Sequence, residues 1–370
     1  MEILLLRRTF SMMLKQTMKD LNNEDAVYIW YCTDGSLFNL RHLQAHTKTQ
    51  EQLVHELLFA DDAALVAHSE PALQRLMSCF AETAKMFGLE VSLKKTEVLH
   101  QPAPHHDYQP PHISIEHTKL KTVNQFTYLG CTISSDARID NEIDNRFAKA
   151  NSAFGRLHKR VWKNNQLKNL TKISVYRAVV IPTLLCGSES WVLYRHHLRL
   201  LECFHQRCLR SILNIHWSDF ISNIEVLEMA KADSIESTLL KIQLRWVCHI
   251  SRMEDHRLPK IVLYGELSTG HRDRGAPKKR YKDCLKKSLG ACHIDHRQWA
   301  DIVSNRASWC LTVRRAATSF EEDRRAHLTD KIQRRKNPTP NPNQPIFPCN
   351  HCNHVCLSHI GLVSHKRACS

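Results

Sequence analysis

Two neighbouring carboxylates, Asp61 and Asp62, stand between apolar runs in the segment Leu57–Ala67, LLFADDAALVA. Apolar flanks on either side of an Asp-Asp turn predict a hairpin with buried arms and both acids at its tip. Like charges side by side repel, so a divalent cation is their natural neutraliser. Two such ions about 3.5–4 Å apart can clamp the attacking and leaving oxygens of a phosphoryl transfer. The pair also suits a solvated turn, which Asp favours through its own backbone hydrogen bonds. A second constellation closes the chain: Cys349, Cys352, His365 and Cys369, spaced C-x2-C-x12-H-x3-C. Three thiolates and an imidazole in that order are what a tetrahedral Zn2+ accepts, the first pair from a β-turn and the second from one face of a helix. His351, His354, Cys356 and His359 compete for the metal in the same stretch. The third set is basic: Arg272, Arg274, Lys278, Lys279, Arg280, Lys282, Lys286 and Lys287, with Gly275 and Pro277 near its start. A loop leading into a basic helix results, suited to phosphates, which are bound by charge and not by sequence. A solvated or targeting run fits these residues as well.

The elements that must carry these groups can be traced from periodicity. Leu73, Leu76, Phe80, Ala84 and Phe87 recur at helical spacing, with Ser69 placed to cap the start and Gly88 to end the helix. Leu89, Val91 and Leu93 alternate with polar residues, and Phe126–Gly130 forms another short apolar run; both predict strands. From Ile139 onwards the period becomes helical, through Ile143, Phe147, Ala150, Phe154, Leu157 and Val161. It reappears in Ile235, Leu239, Ile242, Trp246, Ile250 and Met253, with Asp233 and Glu236 as a capping box and Trp246 as a packing residue. A charged helix is predicted from Ser319 to Lys336. The prolines at 338, 340, 342, 345 and 348 then impose an extended linker.

FADD, a helix, GLEVSLKKTEVL and FTYLG, in this order, resemble the palm of a reverse transcriptase, and more narrowly that of the non-LTR, LINE-type retrotransposon enzymes. KANSAFGRLHKRVW, TLLCGSESW, FHQRCLRSIL, RWVCHISRM and RDRGAPKKRYKD are similar to the carboxy-terminal half of such reading frames, so the resemblance spans nearly the whole chain. It implies that Asp61 binds the catalytic Mg2+ ions with Asp62 in support. It further implies that Lys95 donates a proton to the departing pyrophosphate, that Tyr128, Leu129 and Gly130 hold the primer end, and that the helices after 135 form a thumb. A working member carries a further metal-binding Asp and a nucleotide-positioning loop on earlier elements, and nothing upstream of Leu57 supplies either. Phe10–Leu14 looks like the tail of the nucleotide-positioning helix.

The chain is therefore expected to be α+β: a partial reverse-transcriptase palm of antiparallel hairpin and helix (1–135), a thumb-like helical region (136–215), a basic helical region (216–336), a Pro-rich linker (337–348) and a small ββα zinc finger (349–370). Its expected function is that of the carboxy-terminal part of an RNA-directed DNA polymerase, inactive alone because the first metal-binding acid and the nucleotide loop are missing. The alternative is a non-enzymatic, retrotransposon-derived nucleic-acid-binding protein. Composition agrees with a polyanionic partner: 52 Lys+Arg against 37 Asp+Glu give a formal charge of +15. RNA and DNA are expected to bind largely without sequence preference. Ser358, Gly361 and Ser364 occupy the base-reading positions of the finger helix and cannot make bidentate base contacts. No secretion signal is expected, since Arg7 and Arg8 interrupt the short Ile3–Leu6 run. The longest apolar stretch, around Ala178–Cys186, contains Pro182 and falls short of the roughly 20 residues a bilayer needs. A soluble nuclear or cytoplasmic protein is expected. Ten of the 14 cysteines are scattered between Cys32 and Cys310, the pattern of reduced, buried thiols rather than of a disulfide framework.

Overall fold

The computed structural model describes residues 27–33, 37–38, 43, 49–60, 62–102, 108–268, 278–336, 347–352, 354–356 and 358–369. Asp61, Arg272, Arg274 and the Phe10–Leu14 segment lie outside them. The chain divides into two compact units, Met1–Ser319 and Phe320–Ser370.

In the first unit β1 (Val27–Tyr31) pairs antiparallel with β2 (Gln50–Val54). The hairpin of β3 (Glu56–Phe59) and β4 (Asp62–Leu65) follows, in the register Glu56↔Leu65, Leu57↔Ala64, Leu58↔Ala63 and Phe59↔Asp62. Helix α1 (Glu70–Met86) is capped by Ser69, whose Oγ accepts from the Ala72 amide at 3.3 Å, and the chain leaves it through Gly88 at φ +69°. Its buried face, including Leu76, Met77, Phe80 and Ala84, takes Ala63 and Leu65 of β4 on one side. On the other side it covers Val98 of β5 (Glu97–Leu99) and Ile115 of β6 (Ser114–Ile115). β6 turns into β7 (Thr118–Lys119), and β8 (Lys121–Val123) runs parallel to β5. β9 (Gln125–Tyr128) and β10 (Cys131–Ser134) make the next hairpin. Its two turn residues, Leu129 and Gly130, sit at φ +50° and +82°, the mirror-type turn whose twist matches the strands.

Two expectations fail here: Leu89, Val91 and Leu93 form no strand, because the chain leaves α1 through Gly88 and runs into the hydrogen-bonded Ser92–Thr96 turn before β5 begins at Glu97, and the β3 arm is open. Leu57, Leu58 and Phe59 are 37%, 40% and 59% exposed, so the β3 arm is not buried. A two-stranded ribbon with one helix against it can bury only one face and one edge, and β4 takes that place.

The rest of the unit is mainly helical. α2 (Asp140–Arg156) passes through a wide π turn at His158–Trp162 to α3 (Asn169–Val175). A second π turn, Tyr176–Val180, leads to α4 (Ile181–Leu184), and α5 (Arg195–Leu213), α6 (Asn223–Met229), α7 (Ile235–Ser251) and α8 (Leu258–Tyr264) follow. Ile143, Tyr176, Leu184, Leu209, Val226 and Leu239 are fully buried in the common core, so the predicted helical periods do bury one face. The buried Tyr176 hydroxyl is satisfied by His205 Nδ1 at 2.9 Å. Helix α7 begins at Ser234, whose Oγ accepts from the Ser237 amide. Asp233, expected in a capping box, pairs instead with Lys241. Trp246 is half-buried, edge-on to Tyr281 at 5.8 Å, which agrees with packing.

β11 (Glu266–Leu267) returns to the free edge of β1, making a sheet of order β11-β1-β2. α9 (Tyr281–Ala291) and α10 (Trp299–Ser304) lead to α11 (Arg306–Lys336). That last helix begins 13 residues before the predicted one: Asn305 Oδ1 accepts from the amides of Ala307 and Ser308, and Trp309, Val313 and Ala317 form a buried stripe that holds the added turns. The second unit contains β12 (Phe347–Pro348), β13 (Val355–Cys356) paired antiparallel to it, and α12 (His359–Ala368). Among the described residues no helix is long and apolar enough to cross a membrane.

Candidate functional site

The two hairpins singled out in the sequence meet. Tyr128 Oη, at the end of β9, donates to the Leu57 carbonyl of β3 at 3.0 Å, across 71 positions of chain. Burial, and after it the negative charge of Asp62, push the Tyr128 phenol above its ordinary range. Asp62 is exposed at the start of β4, two positions after Ala60 at φ +55°. Among the described residues it belongs to no group of three metal-ligating side chains. Lys95 lies exposed in the turn after Leu93, where its amide donates to the Ser92 carbonyl, and no hydrogen bond or ion pair joins it to Asp62.

The β9–β10 turn is held from behind by a group that sequence reasoning did not single out. On α2, Glu142 and Arg146 form a buried ion pair, Nε to Oε1 at 2.7 Å. Glu142 Oε2 accepts from the Thr132 amide at 2.7 Å, and Arg146 Nη2 donates to the Gly130 carbonyl at 2.9 Å. The i,i+4 spacing is visible in the sequence, but it is the ordinary spacing of exposed helix pairs and carries no sign of burial.

The basic run is split by its own helix. Lys278 and Lys279 are exposed; Lys278 Nζ donates to the Asp136 carbonyl at 3.0 Å, and Lys279 Nζ lies 4.6 Å from the centre of the Tyr194 ring. Arg280 is paired with both Glu266 and Asp283 at 3.0 Å. Lys282 points inward, donating to the carbonyls of Tyr264 and Gly265 at 3.1 and 3.0 Å. Burial lowers its ammonium to about 8 from 10.5. Lys282 shares a helix face with Leu285 and Leu289, both buried, and this i, i+3, i+7 pattern was the available signal that it is withdrawn from the surface. Lys286 and Lys287 are exposed on the same helix.

In the second unit the ligand atoms of Cys349, Cys352, His365 and Cys369 all lie within 4.8 Å of one another. The first two come from the turn between β12 and β13 and the last two from the end of α12. His351, His354, Cys356 and His359 do not join this group. The backbone amides of His351 and Cys352 point at Cys349 and hold its thiol below the ordinary value, while the bond with Cys352 and the neighbouring sulfurs push Cys369 up to about 11. Three crowded thiols compete for negative charge, and a divalent cation relieves that competition; the donor set fits a metal ion. The Ser358 hydroxyl is engaged in capping α12, accepting from the Gly361 amide at 3.0 Å.

Residues 33–133, the segment that carries both hairpins, match the reverse transcriptase (RNA-dependent DNA polymerase) family. Over 278 residues the chain is 23% identical to a transposon-derived protein of Caenorhabditis elegans, an alignment covering 71% of this chain and 96% of that protein. Residues 33–133 are thus similar to reverse transcriptases, and the greater part of the chain is similar to a transposon-derived protein.

Proposed function

We propose that this chain is the carboxy-terminal part of a LINE-type RNA-directed DNA polymerase and that, by itself, it binds RNA and DNA without extending a primer. The observation that carries the reading is the Tyr128–Leu57 hydrogen bond. A polymerase must bring the primer end to its metal-binding acids, and this contact sets the Tyr128-Leu129-Gly130 turn against the hairpin that bears Asp62, with Asp61 beside it in sequence. In the full family site these acids hold Mg2+, which supplies charge stabilisation of the phosphoryl transfer.

Binding rests on exposed lysines, Lys278, Lys279, Lys286 and Lys287, with the thumb-like helices after 135 lining the duplex. Arg272 and Arg274 belong to the same basic run. Lys282 is excluded by its burial, and Arg280 is committed to two carboxylates. The Cys349, Cys352, His365, Cys369 set holds Zn2+ in this reading, forming a finger that adds affinity without reading bases.

The test uses the full chain with a primer–template and magnesium. Binding should weaken linearly in log affinity against log salt, and Lys278→Ala with Lys279→Ala should flatten the slope by about 0.7–0.9 per lost contact without changing the ranking of sequences. Cys349→Ser should abolish zinc uptake at the terminal cysteine site and leave most of the duplex affinity. Salt-insensitive binding overturns the backbone-binding reading, and template-dependent incorporation that Asp61→Ala abolishes overturns the proposed inactivity.

A further inference from the structure

A second metal-ligating group lies in the helical region, far in sequence from the terminal cysteines. Asp140 opens α2, and His196 and His197 stand in the first turn of α5. His197 Nε2 is 2.9 Å and His196 Nε2 3.4 Å from the same oxygen, Asp140 Oδ1, and all three atoms lie within 4.8 Å of one another. Divalent ions bind imidazole and carboxylate at about 2.0–2.2 Å, so neighbouring ligand atoms stand about 2.9 Å apart around an octahedral ion and about 3.4 Å around a tetrahedral one. Both measured edges fall at these separations. We infer that Asp140, His196 and His197 form a site for a borderline divalent transition metal, Zn2+, Co2+ or Ni2+, that ties the start of α2 to the start of α5.

Three arguments support this beyond the spacing. A single hydrogen bond accounts for one histidine on the carboxylate, yet a second imidazole is brought to the same oxygen, with the two ring centres only 3.8 Å apart. The donors are of the kind these metals select: two imidazoles and one carboxylate, a three-ligand set that leaves coordination open to water. The group also has an entry path and a rigid base, since Asp140 and His196 are half-exposed while the His197 side chain is buried. Without metal, His197 Nδ1 accepts from the Tyr194 amide at 3.2 Å, which places the ring proton on Nε2, where it bonds Asp140. On metal binding that proton moves to Nδ1 and the Tyr194 contact is given up.

The experiment titrates the metal-free full chain with Zn2+ and with Co2+ against a competing chelator. The expected result is two equivalents. With Co2+, one shows thiolate-to-metal charge transfer from the cysteines and the other shows only the weaker ligand-field bands of nitrogen and oxygen donors. His196→Ala, an exposed position, and Asp140→Asn should each remove the second equivalent and leave the thiolate band intact. That band also reports the terminal site separately, so failure of the two metal assignments can be told apart. A chain that takes up no equivalent lacking charge transfer, or one that survives both substitutions, overturns the inference.

Discussion

Replacing Glu142 with Gln tests what holds the turn at the primer-end hairpin. Glu142 and Arg146 are 5% and 6% exposed. The Glu142 carboxylate accepts from the guanidinium through Oε1 and from the Thr132 amide through Oε2, each at 2.7 Å. Gln keeps the shape but loses the charge, and its amide nitrogen must face one of two donors. Arg146 is then a buried cation without a counter-charge. Removing one member of such a pair costs about 3–5 kcal/mol. The same i,i+4 geometry between Asp330 and Arg334, 50% and 80% exposed, is worth no more than about 0.5 kcal/mol, so Asp330→Asn is an internal control. Because the chain divides into two compact units, the readout is local: amide hydrogen exchange resolved over 125–134 and 140–156 at fixed pH. Glu142→Gln should lower protection in both segments by 3–5 kcal/mol, or to the limit set by global unfolding, and Asp330→Asn should leave them unchanged. Glu142→Leu combined with Arg146→Met should recover part of the loss, limited by the Thr132 amide and the Gly130 carbonyl, which stay without their partners. Protection in Glu142→Gln within about 0.5 kcal/mol of the native chain would refute the reasoning, because burial would then add nothing to the exposed value.

Two further outcomes can be checked. The folded Lys282 ammonium titrates near 8 and the unfolded one near 10.5, so between these values the unfolded chain holds a proton that the folded chain has released. The Lys282 contribution to stability should therefore rise with pH across that window, by up to about 3 kcal/mol, while the buried Cys208 and Cys292 thiols, pushed up to about 12 and about 11, oppose it above 9; the difference between the native chain and Lys282→Met in denaturant melts taken from pH 7.5 to 10.5 isolates the rise. At Gly130, φ is +82° and an added Cβ meets nothing within 4 Å, so Gly130→Val should cost about 1–2 kcal/mol from backbone strain alone. Gly130→Asn should cost much less, and equal losses in thermal melts of the two variants would argue against strain.

What the sequence determined by itself is local. The cap and stripe of α1 and the spacing of the four terminal ligands are set by residues a few positions apart, whose geometry the helical and strand periods dictate. The face of Lys282 was legible too, through Leu285 and Leu289, although its charge drew it into the basic set. Tertiary structure alone decided which exposed-looking groups are buried and which distant groups meet. Glu142 and Arg146 carry the spacing of a surface pair, and only the packing of α2 against β10 removes them from water. The same holds for Tyr128 and Leu57, 71 positions apart, and for Asp140 and His197, 57 apart. Side-chain type fixes what each could bond, but no periodicity spans such distances, and the partner is chosen by the docking of one hairpin or helix on another. The exposed Leu57–Phe59 arm has the same cause, because an apolar run records that a surface should be covered and not whether a neighbour is there to cover it.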